Sequence, residues 1–333
     1  MRLSHLVSHA FGVCLSVFLS VNAQAAPVSL TLYNGQHEAT GIAIAKAFTE
    51  KTGIEVNIRK AGSGQLANQV ATEGAHSPAD IIYTEESPPL AKLANDGLLA
   101  KIDPSTLAEV DPEYADADGQ WVGITARTRV LAYNPSLISE EELPKSVLEL
   151  AESEWSGKVG FVPGSGAFQE QVVAVLKLHG REAAEEWLTG LKAFGEVYTN
   201  NVVAMKAVEK GEIATALINN YYWFALQKEK TQLNSRLHYF KGGDAGGLVT
   251  VSGAAILKAS KHPKEAQAFL AFMLSEEGQH VILSQSPEYP VRKGMLPDAD
   301  LKPFAELEPP KLTAADIGEA REALEISREV GLN

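Results

Sequence analysis

Short stretches in which apolar and polar residues alternate are followed by runs with helical spacing, and this order recurs along the chain. Val28, Leu30 and Leu32 alternate with polar neighbours, the period of a half-buried strand. Asn34-Gly35-Gln36-His37 reads as a loop. Residues 39–51 then place Ala43 with Ala47 and Ile44 with Phe48 on one helix face, with Gly53 as the stop. Ile54, Val56 and Ile58 alternate again, so strand, helix and strand follow within about thirty residues, a βαβ unit whose strands run parallel.

The unit is repeated. Residues 79–83 read as a buried strand ending in Thr84-Glu85-Glu86, with a helical run over 90–95. Residues 158–162 read as a strand ending in Pro163-Gly164-Ser165-Gly166, with a helix over 167–178. Residues 213–218 form a further strand, ending in Asn219-Asn220-Tyr221-Tyr222 ahead of a helix over 223–230. Residues 264–274 and 314–330 read as helices. There is no internal repeat, low-complexity tract or Ser/Gly linker, so the pattern predicts two α/β lobes tightly joined.

The first residues break the pattern. A polar start with Arg2 gives way to the apolar run 10–21 and then Ala23-Gln24-Ala25, the layout of a secretory signal peptide cleaved near Ala25. The run is too short for a membrane span, which needs about 20 apolar residues. Cys14, the only cysteine, would leave with this segment, excluding disulfides, cysteine metal sites and cysteine nucleophiles from the mature chain. The expected product is a soluble exported protein. The full chain's net charge of −13, from 29 Lys+Arg and 42 Asp+Glu, argues against nucleic acid or an anionic membrane as the main partner.

Ligands of open α/β sheets sit beyond the carboxyl ends of the strands. His37 and Glu85 follow two strands of the first half, and Tyr221 and Tyr222 follow a strand of the second. One imidazole, one carboxylate and two phenols offer nitrogen and oxygen but no sulfur. Zinc prefers Cys and His, and calcium and magnesium take carboxylates and carbonyls. A phenol with a solution pKa of about 10 yields its proton only to a strong, hard Lewis acid, and Fe(3+) fits best. Two adjacent tyrosines can reach one ion if the backbone departs from regular helix, where neighbours diverge by about 100°. Each residue also has an ordinary reading: a Tyr-Tyr-Trp-Phe run packs cores, a His after a strand is often structural, and Glu85-Glu86 suits a solvated loop. Their joint placement at strand ends favours the site.

Gly164-Ser165-Gly166-Ala167 opens a helix and presents free N–H groups at the positive end of its dipole, a setting for an anion. Ser165, Asn201, Asn219 and Asn220 could add donors. The segment is not a P-loop, since no Lys stands in the required position. A tight loop with a helix cap explains it equally well. An anion beside a trivalent cation would neutralise charge within a closed cleft.

These stretches resemble the periplasmic ferric-ion-binding proteins of bacterial ABC importers, the bacterial transferrins. The matching segments are LTLYNGQHEA (30–39), ADIIYTEE (79–86), RTRVLAYN (127–134), GKVGFVPGSGAFQEQVVA (157–174), YTNNVVAMKAVEKGEIATALINNYYW (198–223) and LVTVSGAAILKASKH (248–262), spanning nearly the whole mature chain. The resemblance implies Fe(3+) ligation by His37, Glu85, Tyr221 and Tyr222. It implies an exogenous anion, commonly phosphate, on Ser165, Gly166, Ala167, Asn201 and Asn219, and an Arg127 that orients the ligand carboxylate. Glu86 departs from the family pattern, which carries Gln there; an ionised carboxylate cannot donate to phosphate and repels it. The implied fold is a two-lobe α/β clamshell of the type II periplasmic-binding kind, with mixed sheets flanked by helices and more than one hinge crossing. Its expected lobes are 26–128 plus 247–301 and 129–246 plus 302–333. The implied partners are an inner-membrane ABC permease and its ATPase, and a monomer suits a receptor that docks one permease.

Two rival readings stay open at this level. Trp121, Tyr221, Tyr222 and Trp223 could form an aromatic cage for an organic cation such as a polyamine. An exported metal-dependent hydrolase is disfavoured by the lack of HExxH, GxSxG and a mature cysteine.

Overall fold

The computed structural model describes residues 28–230, 232–297 and 300–332; the signal-peptide reading lies outside them. No helix among the described residues is long and apolar enough to cross a membrane.

Among the described residues ten strands are joined: β1 (Ser29–Asn34), β2 (Glu55–Lys60), β3 (Ile81–Thr84), β4 (Trp121–Tyr133), β5 (Val159–Phe161), β6 (Glu196–Val197), β7 (Thr215–Asn219), β8 (Arg236–His238), β9 (Val249–Ile256) and β10 (Tyr289–Pro290). The spatial order is β2-β1-β3-β9-β4-β7-β5-β6, with β8 and β10 also pairing with β4. The expected parallel start is present: β1 lies parallel to β2 and β3. In the second half β5 lies parallel to β6 and β7.

β4 joins the halves. Trp121–Thr128 pairs antiparallel with β9, and Arg129–Tyr133 pairs with β7 and β8. All thirteen residues of this strand are buried. Hydrophobic alternation did not flag it, because Thr125, Arg127, Thr128 and Arg129 interrupt the apolar pattern although every position is interior. Two principal cores flank the passage. Leu30, Phe48, Ile81, Trp121 and Phe269 belong to one, and Leu131, Phe161, Phe168, Trp187 and Ile326 to the other. Full burial of each such side chain contributes about 1.5–3 kcal/mol before the entropy of ordering the chain.

Most predicted helices stand, with shifted ends. The first spans Glu38–Thr52, and Gly53 at φ 76° closes it by donating to Thr49 O. Pro88 starts helix Pro88–Asn95 two residues ahead of the apolar run, since a missing N–H costs nothing in a first turn. The helix expected over 314–330 is two pieces, Ala314–Ile317 and Arg321–Val330. Gly318 and Ala320, both at φ 56°, are left-handed and cannot continue a right-handed helix. The helix expected from residue 223 begins at Asn220 and runs to Glu229.

Candidate metal centre

Six parallel-strand ends converge on one cleft of about 420 Å³. Gly62 and Ser63 come from beyond β2, His37 from beyond β1, and Glu85 and Glu86 from beyond β3. Gly164–Ala167 follow β5, Thr199–Val202 follow β6, and Asn219, Tyr221 and Tyr222 close β7. Arg127, at the point where β4 passes between the cores, and Glu170 complete the wall.

Local hydrogen bonds aim the side chains. Asn34 Oδ1 accepts the Gln36 N–H at 3.2 Å, and Gln36 Oε1 accepts the His37 N–H at 2.8 Å. The Thr84 hydroxyl donates to the Glu86 carbonyl at 2.7 Å, and the Glu85 N–H donates to Ser63 Oγ at 3.1 Å, fixing the turn beyond β3. His37 Nε2 then lies 3.2 Å from Glu85 Oε1, with both side chains about one-third exposed to the cleft. The Tyr221 ring centroid is 5.3 Å from that of His37, and the two phenol rings are 4.2 Å apart.

The tyrosines occupy the first turn of helix Asn220–Glu229, with Asn219 as its N-cap, so the expected break from helical backbone is not needed. Helical side chains lean toward the N-terminus, and two long phenols in a first turn therefore both reach past the cap. Among the described residues, no three His, Cys, Asp or Glu side chains are grouped to hold a metal ion. His37 and Glu85 need the phenols to complete a ligand set.

Electrostatics in the cleft is set by burial. Burial, then Tyr222 and Glu85, hold the Tyr221 phenol well above its ordinary pKa. Burial and Glu85 push Tyr222 up to about 12, against the pull of Tyr221, Asn201 and Arg127. Both phenols are therefore protonated near neutral pH, and only a highly charged cation makes them ligands. Burial works to discharge Arg127, but Glu288, Tyr221, Glu85 and Glu170 together raise its pKa. Burial, then Glu85 and Glu170, push Glu86 up to about 8. Burial pushes Glu170 up to about 7, although Arg127 and the Ser87 donors resist it.

The expected anion residues share the same cleft. Ser165 caps helix Gly166–His179, accepting the Phe168 N–H at 3.3 Å, and Asn201 Nδ2 approaches Ser165 Oγ at 3.4 Å. Arg129 Nη1 donates to Asn219 Oδ1 at 3.1 Å, which leaves the Asn219 amide nitrogen as the end able to donate. Asn220 is not part of this group: it is fully buried behind the wall and accepts the Thr128 N–H at 3.2 Å.

Three features escaped the sequence reading. Glu170 is buried and accepts from both the N–H and hydroxyl of Ser87, at 3.3 and 3.2 Å. The run Gln169-Glu170-Gln171 inside an otherwise apolar helix was the available signal. Arg129 holds Gln171 as well as Asn219, and Ser63 braces the Glu85 turn. The aromatic cage does not form: Trp121 lies in the first core, and Trp223 donates to Ser235 O at 3.2 Å, both outside the cleft lining.

Two α/β halves threaded by one long strand, with a polar cleft at the strand ends of both, define a periplasmic-binding-protein fold. The chain belongs to the bacterial extracellular solute-binding protein family, whose model matches residues 34–280, and within it stands among the ferric iron-binding proteins. It is 43% identical over 316 residues to the major ferric iron-binding protein of Neisseria meningitidis serogroup B, covering 93% of this chain and 95% of the relative. It is 38% identical over 323 residues to the Fe(3+)-binding periplasmic protein of Serratia marcescens, covering 95% of each. Iron-bound HitA from Pseudomonas aeruginosa superposes with a TM-score of 0.90 at 70% identity, covering 92% of this chain and 100% of that chain.

Proposed function

We propose that this protein is a periplasmic receptor that captures ferric iron and delivers it to an inner-membrane ABC permease driven by a cytoplasmic ATPase. The observation that carries the reading is the convergence of His37, Glu85, Tyr221 and Tyr222 from opposite halves on one cleft. In this reading the two tyrosinates select a trivalent ion, Glu85 adds a hard oxygen and His37 a borderline nitrogen. Arg127, fully buried among carboxylates, would orient the Glu85 side chain. Ser165, Gly166, Ala167, Asn201 and Asn219 form the wall where an accompanying anion would sit. The family is one of solute-binding proteins, and we assign no catalytic step to the chain.

The lobes follow as 26–128 plus 247–301 and 129–246 plus 302–333. Support comes from the membership of the hydrophobic clusters, which changes along β4 between Ala126 and Val130, although Phe224 and Leu307 of the second set join the first core and Leu248 of the first set joins the second. Iron would then bridge the lobes, and delivery would require opening about a hinge.

The test is a visible absorption titration of apo-protein with chelated Fe(3+). Expected is a saturating tyrosinate charge-transfer band at one iron per chain, lost in the Tyr221→Phe/Tyr222→Phe double variant. Absence of the band from the unmodified chain would refute the ferric reading.

A further inference from the structure

Helix Pro88–Asn95 belongs to the first half, yet each of its ends is bonded to a glutamate of the second. Ser87 stands at its start. A serine there ordinarily turns its hydroxyl back to accept from the helix's own N–H groups. Ser87 makes no such bond. Pro88 and Pro89, the first two helical residues, have no N–H to offer, and Leu90 and Ala91 donate instead to the Ser87 carbonyl at 3.0 and 3.1 Å. The hydroxyl and the N–H of Ser87 are thus left for another acceptor, and both reach Glu170 Oε1 on helix Gly166–His179, at 3.2 and 3.3 Å.

The far end of the helix repeats the arrangement. Asn95 Nδ2 donates to Glu319 Oε1 at 2.7 Å, and Arg321 Nη2 holds the other Glu319 oxygen at 2.9 Å. Between the two ends the seam is open: a cavity of about 330 Å³ is lined by Pro88, Pro89 and Lys92 from one half and by Gln169, Glu319 and Ala320 from the other. Bonds at the tips, more than a packed face, carry this contact.

The tip at Ser87 bears on the metal centre. Ser87 lies two residues beyond Glu85, in the turn that the Thr84 hydroxyl fixes by donating to the Glu86 carbonyl. Where Glu170 holds Ser87 therefore sets where that turn stands relative to the tyrosines. Ser87 and Glu170 are each 1% exposed, so the pair parts only when water enters between the halves. Both bonds end on one oxygen, which accepts whether or not its twin carries a proton.

We propose that Glu170 is a positioning residue for the iron site: through Ser87 it clasps the Glu85 turn to the half that carries the tyrosines, and so slows the opening by which a bound ion leaves. The proposal deepens the ferric reading above and rests on it.

The experiment loads the unmodified chain and its variants with Fe(3+) and times the loss of the tyrosinate band to an excess of chelator. Glu170→Ala is expected to release iron about tenfold faster, the modest end of the range for two hydrogen bonds. Glu170→Gln, whose amide oxygen can accept both bonds, is expected to recover most of the slow release. Ser87→Ala, which keeps its N–H, should release about threefold faster. Ser87→Ala/Glu170→Ala should be no faster than Glu170→Ala alone, because partners in one contact are not additive. Should Glu170→Ala fail to fold, Ser87→Ala, which removes a single oxygen, decides by itself. Release unchanged in the alanine variants, a Glu170→Gln as fast as Glu170→Ala, or additive effects in the double variant would overturn the clasp and leave the ferric reading intact. No band from the unmodified chain would overturn both.

Discussion

At the scale of single residues, the site depends on groups that never face the cleft. Gly41 stands behind the loop that presents His37: a Cβ there would lie 2.2 Å from Asn34 Nδ2 and 2.7 Å from Asn34 Cγ. Asn34 is fully buried, and its Oδ1 accepts the Gln36 N–H that precedes His37. Gly41→Ala is expected to cost about 1–3 kcal/mol, the usual penalty of overpacking an interior position. Because the strain falls on the His37 loop, iron affinity should drop as well. Thermal melting and competition against a ferric chelator check the two effects separately; a variant that matches the unmodified chain in both would remove Asn34 as a brace. His37, Glu85 and the tyrosines were legible in the sequence because a strand end is a local signal. Gly41, Arg129 and Glu170 were not, since their roles arise only when distant segments meet.

Elements succeed or fail by the same division. Helix Asn201–Lys210 carries Glu209 on an inward face, 2% exposed, where it organises the segment after helix Asn220–Glu229. Its carboxylate accepts from the Ser235 hydroxyl, the Ser235 and Asn234 N–H groups and Lys230 Nζ. Burial alone would raise the pKa of Glu209, but these donors hold it below its ordinary value. A carboxyl depressed in the folded state contributes stability above its unfolded pKa, and that contribution is lost as pH falls through the folded one. Glu209→Gln should therefore destabilise the protein at neutral pH by about 1.5–3 kcal/mol, the range for hydrogen bonds to a charged group. The deficit should shrink under acid, and denaturant unfolding across that range measures it; a pH-independent deficit would mean the charge contributes nothing. Regular periodicity made the flanking helices and parallel strands readable. β4 was hidden because its interior face includes two arginines, and the break at Gly318–Ala320 because one alanine adopts a glycine-like conformation.

Across the whole molecule, the two halves meet through a strand that changes partners and a cleft that draws ligands from each. Direct contacts already span that cleft, with both Ser87 donors on Glu170 and Glu86 against Gly166. An ion held by His37 and Glu85 on one side and the tyrosines on the other would add bonds that must break before the halves part. The protons matter as much as the hinge. Both phenols have raised pKa values, and without a cation they keep their protons through neutral pH. Iron must displace two protons to bind if both phenols are ligands, so lowering the pH would favour release and raising it would favour capture. If both phenols are ligands, apparent affinity should rise about a hundredfold per pH unit over the neutral range, beyond any change in the competing chelator. Chelator competition at a series of pH values gives that slope, and proton release on iron addition in weakly buffered solution gives it independently. A slope near one proton would leave a single tyrosine on the metal, and a flat profile would take both out of the ligand set. Coupling of this kind would need no separate trigger: the phenols proposed to select a trivalent ion would also make its release respond to protons wherever the cleft is opened.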